Sequence, residues 1–154
     1  MMRAVVVADS HGMSDAALAR IAHEIRPHAP QLLIHLGDGA PDGKALAELL
    51  GVPLIGVAGN CDLLSQWPGE IVREMGGAKV LLCHGHQYKV KLSPMRLQLR
   101  AQEVGAAVAL YGHTHIQRAD EGTVLLLNPG SLALGKFAVL TIQDGIATYK
   151  LHRP

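Results

Sequence analysis

Residues 3–11 read RAVVVADSH, an apolar run that gives way to an aspartate, a serine and a histidine. The same ending recurs down the chain: LLIHLG leads to Asp38, LIGVAG to Asn60, KVLLC to His84, and AVALYG to His113 and His115. Short runs of branched aliphatics bounded by glycine or another small residue read as buried strands. If those strands lie parallel in one sheet, all five ends open at a single edge, where α/β folds bind ligands. That edge would carry Asp9, His11, Asp38, Asn60, His84, His113 and His115. Two aspartates, one asparagine and four histidines are too many donors for one ion and enough for two.

The segments between the runs set the architecture. Ser14 can cap a helix in which Leu18, Ile21, Ala22 and Ile25 recur at helical spacing until Pro27 stops it. A strand at 32–36, a helix around 43–50 closed by Gly51 and a strand at 54–57 complete a βαβαβ order, and right-handed crossovers make that half a parallel sheet. Residues 69–75 and 78–83 flank Gly76-Gly77 as a hairpin. Ser93 and Pro94 open a helix, with Leu92, Met95 and Leu99 as its apolar side and Arg96, Arg100 and Gln102 exposed. Runs at 107–110, 123–127, 137–142 and 146–151, parted by Gly122, Asn128-Pro129-Gly130 and Asp144-Gly145, predict a mostly antiparallel second sheet packed on the first.

Composition bounds what such a chain can be. Its 154 residues suit one domain, 1–154, with one core, since a domain of about 150 residues buries roughly 70% of its unfolded surface. Nearly half the residues are hydrophobic (49%) but only 3% are aromatic, so Val, Leu, Ile and Ala must fill the interior. A formal charge of +1 gives no reason to expect a nucleic-acid or membrane-surface partner. No run approaches the ~20 apolar residues that span a bilayer, and the amino terminus does not resemble a secretion signal, so a cytoplasmic protein is expected. Cys61 and Cys83 form no Cys-x-x-Cys pair and are expected as free thiols. Exposed apolar turns are compatible with a symmetric homodimer.

Each donor group has an ordinary alternative when taken alone. Asp9-x-His11 can chelate one ion from an extended turn, or cap the next helix. Gly37-Asp38 is a common turn dipeptide, yet its carboxylate has two oxygens and can bridge two cations about 3.5–4 Å apart. Gly59-Asn60-Cys61-Asp62 offers an amide oxygen or a plain loop turn. Gly112-His113-Thr114-His115 is the most specific, because two histidines flanking one residue past a strand are hard to explain as packing. His84 closes a strand before Gly85, and a lone histidine there is often structural. His23, His28, His35 and His152 fall outside the pattern and read as structural or exposed, His35 being the least settled because it shares a strand with Asp38. Lys89, Lys91, Arg96 and Arg100 read either as a solvated face or as groups that reach an anionic substrate.

Taken in order, Asp-x-His, Gly-Asp, Gly-Asn-x-Asp, His-Gly-His and Gly-His-Thr-His resemble the calcineurin-like metallophosphoesterase superfamily. The short length and Gly-Asn-Cys-Asp are similar to its small prokaryotic phosphodiesterase branch, related to the metallophosphoesterase-like subunit of the eukaryotic retromer. The resemblance spans Asp9 to about Ser131 and implies an α/β (α+β) fold, a four-layer αββα sandwich with two mixed sheets. It implies two divalent metal ions: Asp9, His11, Asp38 and His115 on the first, Asp38, Asn60, His84 and His113 on the second, with Asp38 bridging. Asn128-Pro129-Gly130-Ser131 resembles a loop this branch keeps near the site, and reads equally as a plain turn.

The implied activity is that of a phosphodiesterase acting on a small phosphodiester, with a bridging hydroxide as nucleophile and Asn60 and His84 also near the phosphate. Manganese is the expected metal, while Fe, Co, Ni or Zn also suit mixed N/O donors. Many superfamily members resemble one another in a histidine directly after the asparagine, a proton donor to the leaving oxygen; here Cys61 stands there. A thiol is a poor hydrogen-bond donor, so Cys61 is expected to favour diesters and good leaving groups over alkyl monoesters. His86 is an alternative proton source, or simply a surface histidine. A silent scaffold of the same fold is the competing reading, though it has no need of seven donors. A cysteine-nucleophile phosphatase fails on spacing, because the arginine it needs six residues on is Trp67 or Lys89 here.

Overall fold

The computed structural model describes all 154 residues, as ten strands and three α-helices. Strands β1 (Met2–Val7), β2 (Leu32–His35) and β3 (Leu54–Gly56) lie parallel, joined by helices α1 (Asp15–Ile25) and α2 (Ala40–Leu50). Ser14 caps α1 by accepting the Ala17 N–H at 3.1 Å, and Gly51 ends α2 in the left-handed region. Helix α2 starts earlier than its apolar pattern suggests, because Pro41 fits its first turn.

Strands β4 (Glu70–Met75) and β5 (Ala78–Cys83) form the expected hairpin across Gly76-Gly77. Helix α3 (Met95–Val104) then carries the chain to β6 (Val108–Leu110), followed by β7 (Arg118–Asp120), β8 (Leu125–Asn128), β9 (Phe137–Gln143) and β10 (Ile146–His152). The first sheet has the order β10-β9-β1-β2-β3 and the second β4-β5-β6-β8-β7.

Three sequence expectations need correction. The β9–β10 hairpin joins the first sheet, where β9 pairs antiparallel with β1, and the second sheet is built on three parallel strands, β5, β6 and β8, with antiparallel strands at its edges. The donor-bearing ends therefore belong to two stacked sheets and meet at one end of the sandwich, not at the edge of a single sheet. Helix α3 buries Leu97 and Ala101 and leaves Met95 and Leu99 in solvent, while Leu92 lies exposed ahead of the helix. Both stripes have helical spacing, and the one holding the small Ala101 fits against the sheet.

Side-chain parity makes the layers. Ala4 and Val6 of β1 face the second sheet beside Val80, Leu82, Val108 and Leu110, while Val5 and Val7 face Leu18, Ile21 and Ile25 of α1 and Leu46 of α2. On the far side Leu81, Ala109 and Leu126 meet Leu97 and Ala101 of α3. The result is the four-layer αββα sandwich. No helix is long and apolar enough to cross a membrane.

Candidate metal centre

The loops that leave β1, β2 and β6 are bent sharply, and the donors themselves take the strain. Of the eight non-glycine residues with positive φ, five are Asp9 (55°), His11 (52°), Asp38 (61°), His113 (72°) and His115 (63°). Such conformations are uncommon outside glycine and tend to cluster at functional sites. Asp9 and His11 thus converge through left-handed backbone, not through the extended turn expected from Asp-x-His. Glycines let the loops close up: a Cβ on Gly37 would sit 2.6 Å from the Gly59 nitrogen and 2.7 Å from His84 Nδ1.

Six of the seven expected donors meet in two groups. Asp9, His11 and His115 form one, and Asp38, His84 and His113 the other, each with donor atoms mutually within 4.8 Å. Asp38 Oδ2 lies between them, 3.2 Å from His84 Nε2 and 3.8 Å from His11 Nε2. Asp9 Oδ1 is 3.5 Å from His115 Nε2 and 3.8 Å from both His11 and His84 Nε2. His11 and His115 present their Nε2 atoms to each other at 3.3 Å. Asp9, Asp38 and His84 make a buried floor, while His11 and His115 line an open mouth.

Each carboxylate is divided between backbone and centre. Asp9 Oδ2 accepts the His113 N–H at 3.0 Å, and Asp38 Oδ1 accepts the Cys61 N–H at 2.8 Å. That leaves Asp9 Oδ1 buried with no hydrogen-bond partner. His84 donates from Nδ1 to the Leu36 carbonyl at 2.7 Å, which turns the lone pair of Nε2 toward the two carboxylates.

These electrostatics fit cations. Burial, with the negative charge of Asp38 adding to it, pushes the Asp9 carboxyl up to about 7 despite the bond from His113. Burial also lowers His84, and burial with the neighbouring His84 lowers His113 to about 4, so both imidazoles stay neutral and able to ligate. Metal–ligand bonds of about 2.1 Å put neighbouring donors about 3.0–3.5 Å apart, close to the separations here. An orphaned buried oxygen and inward-facing lone pairs are what divalent cations would satisfy.

Several residues outside the donor pattern support the site, and among them only the Asn128–Ser131 loop is anticipated, by resemblance. Asp62, the last residue of Gly-Asn-Cys-Asp, accepts backbone N–H groups from Asp38 (2.6 Å), Gly39 (3.0 Å), Ala40 (3.2 Å) and Gly59 (2.8 Å). Burial opposes its charge, but the four bonds prevail and hold its pKa below the usual range. It caps α2 from a distance and ties the loop after β3 to the loop after β2. Asp42 does similar work, accepting from Gly12 at 2.8 Å and Met13 at 3.0 Å. His35 is fully buried: its Nδ1 accepts the Gly37 N–H at 3.0 Å, and its Nε2 lies 3.0 Å from Ser10 Oγ. Burial depresses its pKa to about 4, so His35 is a neutral strut between the Asp9 and Asp38 loops. Asn128 is buried and donates to the Gly112 carbonyl at 3.2 Å and to Thr114 Oγ1 at 2.9 Å, and Ser131 donates to the Asp9 carbonyl at 2.8 Å. The Asn128–Ser131 loop is therefore a buttress of the site. A polar residue inside or just after an apolar run was the available signal for His35 and Asn128.

Asn60 stands at the rim, exposed, with its Nδ2 3.6 Å from Cys61 Sγ. Cys61 is exposed and its sulfur joins His11 and Asp38 in a third group within 4.8 Å. The ring of His86 lies 6.1 Å from that of His113. Of the basic residues, Arg100 is taken up by Glu70 and Glu103 at 2.8 and 2.7 Å, while Lys91 is near enough to lower the pKa of both Asp9 and His113. His152 stacks on Phe137 at 4.1 Å with His28 edge-on, away from the site, and His23 is exposed.

Comparisons with known proteins agree with this geometry. A family profile described as the calcineurin-like phosphoesterase superfamily domain matches residues 2–145. The probable metallophosphoesterase YsnB of Bacillus subtilis is 31% identical, over 98% of this chain and 90% of its own. Among solved structures, a predicted phosphoesterase from Streptococcus pneumoniae superimposes with a TM-score of 0.71 at 28% identity, covering 98% of both chains. Vps29 of Entamoeba histolytica, determined with Zn2+, shares the fold at a TM-score of 0.75 and 21% identity, over 99% of this chain and 98% of its own.

Proposed function

The chain belongs to the calcineurin-like phosphoesterase superfamily, and from that premise we propose that it is a phosphodiesterase working through a dinuclear metal centre. One observation carries the reading: Asp38 Oδ2 lies between two three-donor groups, at 3.2 Å from His84 and 3.8 Å from His11. Asp9, His11, Asp38 and His115 would hold one cation, and Asp38, Asn60, His84 and His113 the other. Bound divalent cations supply Lewis acidity and lower the pKa of a coordinated water toward about 7, with manganese the expected ion.

The residues of this chain do the rest. Asp9 and Asp38 hold their free oxygens on a buried floor, fixed by backbone N–H groups, so the charge of the site is preorganised. His84 keeps a neutral Nε2 aimed inward because Leu36 holds its other nitrogen. Lys91 adds positive potential for an anionic ester. Asn60 and Cys61 stand at the rim, where a leaving oxygen would emerge, and Cys61 is the group that sets the preference for diesters. An exposed free thiol at Cys61 also suits a reducing compartment, in keeping with a cytoplasmic protein.

A silent scaffold would bury Asp9 and Asp38 against each other at a cost in stability with no return. The test is to strip the protein with a chelator, restore Mn, Fe, Co, Ni or Zn singly, and assay an aryl phosphodiester and an aryl monoester. Turnover of the diester with at least one ion, and none in chelator, is the expected result. No turnover with any ion favours the scaffold.

A further inference from the structure

We propose that the cleft beside Cys61 receives one ester substituent of the substrate and selects an apolar, aryl-sized group. This rests on the phosphodiesterase reading and names its substrate class. The cleft is about 440 Å³, within the range of small-molecule sites, and is lined by Ala40, Pro41, Lys44, Cys61, Leu63 and Leu64 among its walls. Leu63 is 87% exposed and Leu64 99%. Two adjacent leucines held in water at the edge of a catalytic centre are apolar surface waiting to be covered.

The cleft and the metal centre share a wall. Cys61 lines the cleft, and its sulfur lies within 4.8 Å of donor atoms of His11 and Asp38. A phosphate seated over those donors therefore projects a substituent past Cys61 and along the two leucines. The loop that carries them has a fixed base: Asp62 is pinned by four backbone N–H groups, Ser65 N–H reaches the Asp62 carbonyl at 3.1 Å, and Trp67 N–H reaches Ser65 Oγ at 3.0 Å. The Asp62 carboxylate is held by those backbone bonds, and Lys44 is the other charged group of the cleft. A ring covering roughly 80–100 Å² of leucine surface gains about tenfold in affinity after its ordering cost.

Binding of non-hydrolysable phosphonates tests this. Zinc-loaded protein is titrated calorimetrically with phenylphosphonate and methylphosphonate, as wild type and as the Leu63→Ser/Leu64→Ser variant, whose exposed positions spare the core. The wild type is expected to prefer phenylphosphonate about tenfold, and the variant less than threefold, with methylphosphonate binding unchanged. In a parallel assay the variant should lose kcat/KM on bis(4-nitrophenyl) phosphate. Equal affinities in the wild type, or a preference that survives the double substitution, would overturn the subsite while leaving the phosphoesterase reading intact. Binding of neither phosphonate with any divalent ion removes that reading, and the subsite with it.

Discussion

The two ends of the sandwich solve the same problem, joining two sheets through tight loops, with opposite chemistry. At the far end, the β4–β5 and β9–β10 turns meet backbone to backbone, with Gly145 N–H donating to the Gly76 carbonyl at 2.9 Å. Positive φ there falls mainly on glycine, at Gly76 (57°), Gly77 (89°) and Gly145 (77°). At the near end it falls on aspartate and histidine as well as on Gly37, Gly39 and Gly85, and the sheets are linked through side chains, Asp9 to His113 and His84 to Leu36. Glycine is the inexpensive way to turn, so strained Asp and His mark where a side chain must be aimed. The far end joins the sheets through backbone; the near end joins them through charged and imidazole side chains.

Removing the shared donor breaks the near end most severely. Asp38→Ala should lower kcat/KM for an aryl phosphodiester by on the order of 10³-fold or more, since a metal centre supplies several kcal/mol of transition-state stabilisation. Steady-state kinetics at saturating metal measure it. A loss below tenfold would show that Asp38 is not the common ligand.

The far end should respond in the opposite sense. Gly76→Ala forces a Cβ into left-handed backbone against the Ile142 carbonyl. A cost of about 2–3 kcal/mol is expected, or about 5–10 °C in Tm. The turnover of the folded fraction should stay within twofold. Thermal unfolding and kinetics on one preparation decide it, and a matching fall in turnover would mean the two ends are coupled.

How much of this contrast was legible in the sequence depends on the range of the interaction. The donors were visible because strand, small residue and donor are consecutive, as in LLIHLGD and AVALYGHTH. The struts were not, because what Asp62 or His35 does is set by loops from other strands: His35 reaches Ser10, and Asp62 reaches Asp38, far away in sequence. The hairpin turn at Asp144-Gly145 was equally readable, but nothing local says that β9 will pair with β1. The α3 stripe misled because Met95 and Leu99 have the same helical spacing as the buried Leu97 and Ala101, Leu92 lies ahead of the helix, and only the docking of α3 on the second sheet chooses between the two sides.

A pH experiment sharpens the claim that the near end is joined through charged side chains. In cation-free protein the Asp9 carboxyl titrates at about 7, above its ordinary 3.8, because of burial first and Asp38 second. The folded state then binds more protons than the unfolded state across that interval, so stability should fall as pH rises from about 4 to about 7. Asp9→Asn removes this contribution. In chelator, the variant's Tm should exceed that of wild type at pH 8, and the advantage should vanish below about pH 4. An advantage independent of pH would point to packing instead of charge.

The smallest effect concerns the rim, where the near end meets solvent. Cys61 is exposed, beside Asn60 Nδ2 at 3.6 Å, and its backbone N–H holds Asp38 at 2.8 Å. Replacing the side chain leaves that N–H in place, so Cys61→His should retain the metal geometry while adding a strong proton donor. A diester with a good leaving group needs little protonation, whereas an alkyl monoester needs it most. The variant should therefore gain severalfold on an alkyl monoester and change less than twofold on an aryl diester, measured side by side at fixed metal. Equal changes on both substrates would mean that the thiol does not set the preference, and that the selectivity of the near end lies in the donors and their struts alone.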